Sequence, residues 1–204
     1  MPETKNENAW LVSLTAALAI AFVAVGGCGG QTKSVSTLTS ELTDANPQVR
    51  KNAAKGLENY GPESLAAVPA LAEALKDRND KVRYRAAKAL SKVKDGLKPA
   101  VPALGAALAD PNRDIRYYVA KALEDAGEDA GPAMTAMAAA LEKEQDPEIR
   151  YYLVRSLKNL GAEAKPAVPV LQKAASDKND KVREAATAAL AKINKPSASG
   201  AQPR

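Results

Sequence analysis

The chain has 204 residues, 46% of them hydrophobic and 26% charged, with a net charge of +5. That balance suits a globular domain with a sizeable core and excludes a chain too polar to fold. There is no histidine and only one cysteine, so the commonest general base and metal ligand are missing and no intramolecular disulfide can form. With no phosphate-cradling glycine loop, nucleophile elbow or metal-spaced carboxylate set, the residues point away from an enzyme, a metal site and a cofactor.

The N-terminus stands apart. Residues 1 to 8 are polar, and Ala9 to Val25 then runs for 17 residues without a charge before Gly26-Gly27-Cys28-Gly29-Gly30. An apolar run ending in small residues reads as a secretory signal peptide, and it lies at the short limit of a membrane-spanning helix. The stretch Val25-Gly26-Gly27-Cys28 resembles the lipobox of bacterial lipoproteins. The resemblance implies that residues 1–27 are removed and that Cys28 is acylated and becomes the first mature residue. Residues 28–34 would then be a short tether holding the domain to the bacterial cell envelope, outside the cytoplasm. Gly29 rather than Asp after the cysteine leans toward an outer membrane, by likeness to sorting rules in two-membrane bacteria. An uncleaved anchor, with Cys28 a free thiol inside it, would tether the same domain. Removal of 1–27 leaves 28 Lys+Arg against 22 Asp+Glu, net +6, and takes away Trp10 and Phe22. Six tyrosines are then the only aromatics.

From residue 35 onward one pattern recurs five times, marked by Val49-Arg50, Val82-Arg83, Ile115-Arg116, Ile149-Arg150 and Val182-Arg183. The arginines are spaced 33, 33, 34 and 33 apart, a period that marks one supersecondary unit per repeat. Each unit predicts two helices. The first carries Val35-Leu38-Leu42, Val68-Leu71-Leu75, Val101-Leu104-Leu108, Met134-Met137-Leu141 or Val168-Leu171-Ala175 on one face. Its start is expected at Pro99, Pro132 and Pro166, where a missing N–H costs nothing. The second follows Asn46, Asn79, Asn112, Asp146 or Asn179 as N-cap and ends its apolar face on Leu57, Leu90, Leu123, Leu157 or Leu190. Gly61, Gly127 and Gly161 fit its end. The units read as 35–61, 62–94, 97–127, 130–161 and 164–194, within a repeat domain at 35–194. Residues 195–204, rich in Pro, Ser, Gly and Ala, read as a disordered tail.

This pattern, clearest from Pro69 to Leu90, resembles the HEAT repeat, in the short form also seen in phycobilisome lyases. The resemblance implies an all-α, right-handed α-solenoid of five helix pairs. It also implies that the pairs Asp44/Arg50, Asp77/Arg83, Asp110/Arg116, Glu144/Arg150 and Asp177/Arg183 form a ladder between neighbouring repeats, and that the second helices line the concave side. One extra residue precedes Glu144, so the turn of unit four is expected to bulge.

Counted from each arginine, positions +1, +2 and +5 of the second helix are expected to face solvent. Position +5 reads Lys55, Lys88, Lys121, Arg155 and Ala188, and +1/+2 place Tyr84, Tyr117, Tyr118, Tyr151 and Tyr152 beside that row. Two readings follow. In one, the five tyrosines with Lys88, Lys121 and Arg155 line a binding groove; in the other, they only pack between repeats. The expected role is a monomeric, membrane-anchored scaffold or adaptor that binds another protein and no nucleic acid. The alternative is a binder of an anionic envelope ligand, a cell-wall polymer or lipid headgroups.

Overall fold

The computed structural model describes residues 33–195. The signal-like run, Cys28 and the tail from residue 196 lie outside the described residues. The rest is all-α: ten α-helices in five pairs, with no strand among the described residues. The first helices are α1 (Val35–Glu41), α3 (Val68–Ala74), α5 (Val101–Ala107), α7 (Met134–Lys143) and α9 (Val168–Ala174). The second helices are α2 (Pro47–Tyr60), α4 (Asp80–Val93), α6 (Arg113–Asp125), α8 (Pro147–Asn159) and α10 (Asp180–Ile193).

A third piece of each later unit escaped the sequence. Four 3-10 segments, Gly61–Ala67, Lys98–Ala100, Gly127–Ala133 and Gly161–Ala167, precede α3, α5, α7 and α9. Pro99, Pro132 and Pro166 therefore sit in 3-10 turns, not at the start of an α-helix, and the α-helical hydrogen bonding begins with the following Val or Met. Each first helix meets the 3-10 segment of the next unit more than it meets the next first helix, whereas the second helices pack directly on one another. The row that packs more closely must be the inner one of a curved stack, so α2, α4, α6, α8 and α10 line the inner side.

Close approach of that row follows from side-chain size. Ala53, Ala54, Ala86, Ala87 and Ala120 are fully buried where the inner helices touch, which lets their axes come within packing distance. Leu57, Leu90, Leu123 and Leu157 of the second helices and Leu71, Leu104, Met137 and Leu171 of the first helices are fully buried in one core. Leu190, Val35 and Val168 are only partly buried. The end units have a neighbour on one side only.

Gly61, Gly127 and Gly161 end α2, α6 and α8 at φ 55°, 58° and 56°, a region open to glycine and strained for other residues. Lys94 takes the equivalent place after α4 with φ 68° and ψ −70°, at the centre of a turn in which the Asp95 N–H donates to the Val93 carbonyl at 3.0 Å. A side chain there costs about 1 kcal/mol or more. The 3-10 segment that follows is correspondingly the shortest of the four.

The ladder runs from each unit into the next. Arg50 grips Asp77 through Nε and Nη2, the second bond at 2.9 Å. Arg83 holds Asp110 at 2.7 Å, Arg116 holds Glu144 at 2.7 Å and Arg150 holds Asp177 at 2.7 Å. In every unit the arginine Nη1 also donates to the turn carbonyl of its own acid: Asp44, Asp77, Asp110, Glu144 or Asp177. The carboxylates in turn accept the N–H of the N-cap residue two positions on, at 2.7 to 3.0 Å. The extra residue of unit four makes no bulge. It is absorbed by α7, which has ten residues where the other first helices have seven, and Glu144 then reaches Arg116 with one more methylene than an aspartate has.

The four paired acids have side chains only 6–11% exposed, so losing an arginine strands a desolvated charge. Arg116→Ala is expected to cost about 3 kcal/mol in chemical denaturation. Lys98→Ala breaks the open surface pair with Asp129 and should change stability by less than about 0.5 kcal/mol.

Hydrogen bonds from Arg50 hold the Asp77 carboxyl below its ordinary range. Burial opposes ionisation at Glu144 and Asp177, but the bonds from Arg116 and Arg150 together with those from backbone N–H groups of the turn outweigh it and lower both. Depressed folded values mean stability that is present above the unfolded pKa of about 4 and lost as pH falls through the folded values. Asp125 runs the other way, raised by burial and then by Glu124, but it is one group against six, since Glu58, Glu142 and Asp146 are lowered as well. The melting temperature is therefore expected to drop as pH is lowered below about 4; a thermal scan by circular dichroism that shows no drop would contradict these lowered carboxyls.

Candidate functional site

Positions +1 and +2 bring five tyrosines of α4, α6 and α8 together on the inner row, but not as fully exposed side chains. All five are half-buried and pack against the core. They form one continuous edge-to-face chain: Tyr84–Tyr118 at 5.7 Å, Tyr118–Tyr117 at 5.1 Å, Tyr117–Tyr152 at 5.5 Å and Tyr152–Tyr151 at 5.7 Å between ring centres. Such pairs are worth roughly 0.5–1.5 kcal/mol beyond the area they bury. The expectation of solvent-facing positions failed because a helix wheel knows one helix; the neighbouring inner helix comes close enough to cover half of each ring. Burial, and then the hydroxyl of Tyr117, push Tyr152 up to about 12, while burial and Tyr84 raise Tyr118. These phenols stay neutral.

Two of the four cations of the row, Lys88 and Arg155, are committed, and Lys55 makes no ion pair among the described residues. Lys88 and Arg85 both bind Glu58 at 2.9 Å, and Arg155 binds Glu124 at 2.7 Å. Burial works against charge on Glu58, but its bonds to Lys88 and Arg85 keep its carboxyl below the usual range. Arg155 also donates to the Tyr151 hydroxyl at 3.2 Å. Cations stand 5.2–5.7 Å from four of the rings: Arg85 from Tyr84, Lys88 from Tyr118, Arg113 from Tyr117 and Arg155 from Tyr151. Lys121 makes no ion pair among the described residues. Glu58, Glu124 and Arg113 were missed in the sequence. The two glutamates share one register, eight residues after their arginines, and that periodicity was the available signal.

The chain of rings ends at Tyr151. On α10 the register places Ala185, and between α8 and α10 the surface opens into a groove of about 850 Å³ lined by Tyr151, Tyr152, Arg155, Lys158, Glu184 and Ala185 among others. The accessible part of the stripe is therefore its C-terminal end, not its centre. A second, more apolar groove of about 620 Å³ lies on the outer side between α5 and α7. Among the described residues no cluster of three or more Cys, Asp or Glu could hold a metal ion, and no helix is long and apolar enough to cross a membrane.

Comparison with known proteins places this architecture. A sequence model of HEAT repeats matches residues 35–124 and 134–200. A designed armadillo repeat protein in complex with the peptide (KR)4 is 20% identical with a TM-score of 0.68, the match covering 78% of this chain and 82% of that one. A computationally designed armadillo repeat protein for modular peptide recognition is 23% identical with a TM-score of 0.66, over the same shares of the two chains. Both likenesses speak for the fold alone. The complex of CpcE and CpcF of phycocyanin lyase from Nostoc sp. PCC7120 is 26% identical with a TM-score of 0.60, covering 84% of this chain and 69% of that one. No curated protein matches. The repeats match HEAT repeats in sequence and stack as an all-α scaffold.

Packing and binding can be separated by where a ring sits in the chain. Tyr118 touches two rings and a lysine, so Tyr118→Ala is expected to lower stability by about 2–3 kcal/mol. Tyr151 has one ring neighbour and a groove beside it, and Tyr151→Ala should cost about 1 kcal/mol or less. Equal losses in urea unfolding would contradict the open end at α8.

Proposed function

We propose that this chain, which belongs to the HEAT-repeat family, is a lipid-anchored scaffold of the bacterial envelope that binds another protein along its inner helix row. The observation that carries the reading is the tyrosine chain of α4, α6 and α8: amphipathic rings, half-covered, flanked by cations and left open at Tyr151. Surfaces of that composition are the ones proteins use for recognition, because a ring offers area on one side and a polar tip on the other. Support comes from a similar protein, CpcE in complex with CpcF of phycocyanin lyase.

The anchor rests on Val25-Gly26-Gly27-Cys28 and would place the repeats outside the cytoplasm, close to a membrane surface. No chemical step is assigned to the groove; the role is binding. An anionic polymer or headgroup is the weaker fit, since the charges of Lys88 and Arg155 are already matched by Glu58 and Glu124.

The test is made in cells, with a photo-reactive amino acid at position 151 and mass spectrometry of both the trapped product and the N-terminal peptide. A discrete protein adduct on a chain that begins with acylated Cys28 is the expected result. A folded, membrane-bound chain that traps no protein would overturn the scaffold role, and an unmodified N-terminus retaining residues 1–27 would overturn the anchor.

A further inference from the structure

Two side-chain registers recur where inner helices meet: a ring register at α4–α6 and α6–α8, and a charge register at α2–α4 and α6–α8. In the first, position +1 of one helix meets position +2 of the following one: Tyr84 meets Tyr118, and Tyr117 meets Tyr152. In the second, position +8 meets position +5: Glu58 holds Lys88, and Glu124 holds Arg155. The α2–α4 junction has Lys51 and Arg85 in place of rings, the α4–α6 junction has Ser91 in place of the acid, and each keeps the other register. At the α8–α10 junction both registers fail together. The ring that should meet Tyr151 is Ala185, and the residue eight after Arg150 is Lys158, which has a cation where the pattern has an acid and only Ala188 at the matching place on α10. Tyr151, Lys158 and Ala185 line the same 850 Å³ groove. Lys158 makes no ion pair among the described residues. The groove thus lacks one aromatic ring and one carboxylate.

We propose that this groove takes an extended peptide segment of a partner protein, which seats an aromatic side chain against Tyr151 and gives a carboxylate to Lys158. The inference rests on the scaffold reading and narrows the partner's chemistry. Tyr151 and Lys158 lie seven residues apart on α8, two turns and about 10 Å along the axis. An extended chain rises about 3.3 Å per residue, so the ring and the acid belong about three residues apart. The lining as a whole suits a single carboxylate rather than a polyanion: its four cations, Arg155, Lys158, Lys178 and Lys181, stand against three acids, Glu148, Asp180 and Glu184, of which Glu148 and Asp180 also bind Arg113 and Arg183. Arg155 is also held by Glu124. The chain's own tail does not fit the slot, because residues 196–204 contain no aromatic.

The experiment uses the purified full chain and fluorescein-labelled peptides of about eight residues, long enough to span the groove. Each peptide holds one Tyr or Phe and one Asp or Glu at varied separation in a Gly/Ser background, and binding is read by anisotropy. The tightest peptides should have the two residues about three apart and should weaken about tenfold when the aromatic becomes Ala. Ala185→Tyr should abolish binding and raise the unfolding temperature, since the new ring fills the slot and extends the edge-to-face chain. Lys158→Glu should move the preference from acidic to lysine-bearing peptides without loss of helical content. Binding that ignores the aromatic, or that survives both substitutions, overturns the proposal. If position 151 still traps a protein in cells, only this inference falls; if it traps none, the scaffold reading falls with it.

Discussion

Every ladder arginine of the first four units joins three things that would otherwise be separate: the carboxylate of the next unit, the turn carbonyl of its own unit, and through that carboxylate the N-cap of the next inner helix. The turn cannot open without stranding a desolvated acid, and one unit cannot slide along the next without breaking a two-pronged bond. Buried ion pairs are poor sources of net stability, because desolvation consumes most of the attraction. Their value here is register. Apolar layers of Ala and Leu would tolerate a slip of one helix against its neighbour, whereas the paired guanidinium and carboxylate tolerate almost none.

Once the register is set, the face of the inner row follows. Positions +1 and +2 come opposite each other across each junction, so tyrosines placed there meet edge to face. Positions +8 and +5 come opposite each other as well, so Glu58 and Glu124 find Lys88 and Arg155. The same stacking that assembles the stripe also covers it: neighbouring side chains hide part of each ring, and Glu58 and Glu124 match the charges of Lys88 and Arg155. What is left accessible is decided where the stacking stops matching, at α8 against α10.

A solenoid has ends, and both show here as incomplete versions of the interior. Asp44 accepts only from its own turn, with no preceding arginine, and Arg183 turns back to Asp180 of its own helix because no further unit supplies an acid. Leu190 lies only partly covered where its counterparts Leu57, Leu90, Leu123 and Leu157 are sealed, and Val35 is partly covered where Val68 and Val101 are sealed. At the first end the sixth tyrosine acts locally. The Tyr60 hydroxyl donates to the Lys33 carbonyl at 2.8 Å and fixes the chain as it enters α1. The last unit carries Glu184 and Ala185 where the interior carries tyrosines, and that change makes the end of the stack a groove.

Much of this was legible in the residues alone because a 33-residue period states which positions are equivalent. Equivalence revealed the two helices per unit, the N-caps at Asn46, Asn79, Asn112, Asp146 and Asn179, and the glycines after the inner helices; the ladder came from the resemblance to HEAT repeats, and its ion pairs join each arginine to the acid of the next unit, Arg50 to Asp77 and not to Asp44. Local chemistry was enough for the caps and glycines, since a cap or a turn is decided within a few residues. It was not enough for the 3-10 segments, whose Ala and Pro content mimics a helix start, nor for the extra residue before Glu144, which entered α7 because another helical turn costs less than a bulge. Exposure was the largest miss. Whether Tyr118 is free or packed, and whether Lys88 carries net charge, depends on what the next unit presents 33 residues away, and only the stacked structure brings Tyr84 and Glu58 within reach. The sequence therefore determined the unit and its repetition, while tertiary packing decided which of the repeated side chains remain available, because availability is a property of the junction between units and not of any unit itself.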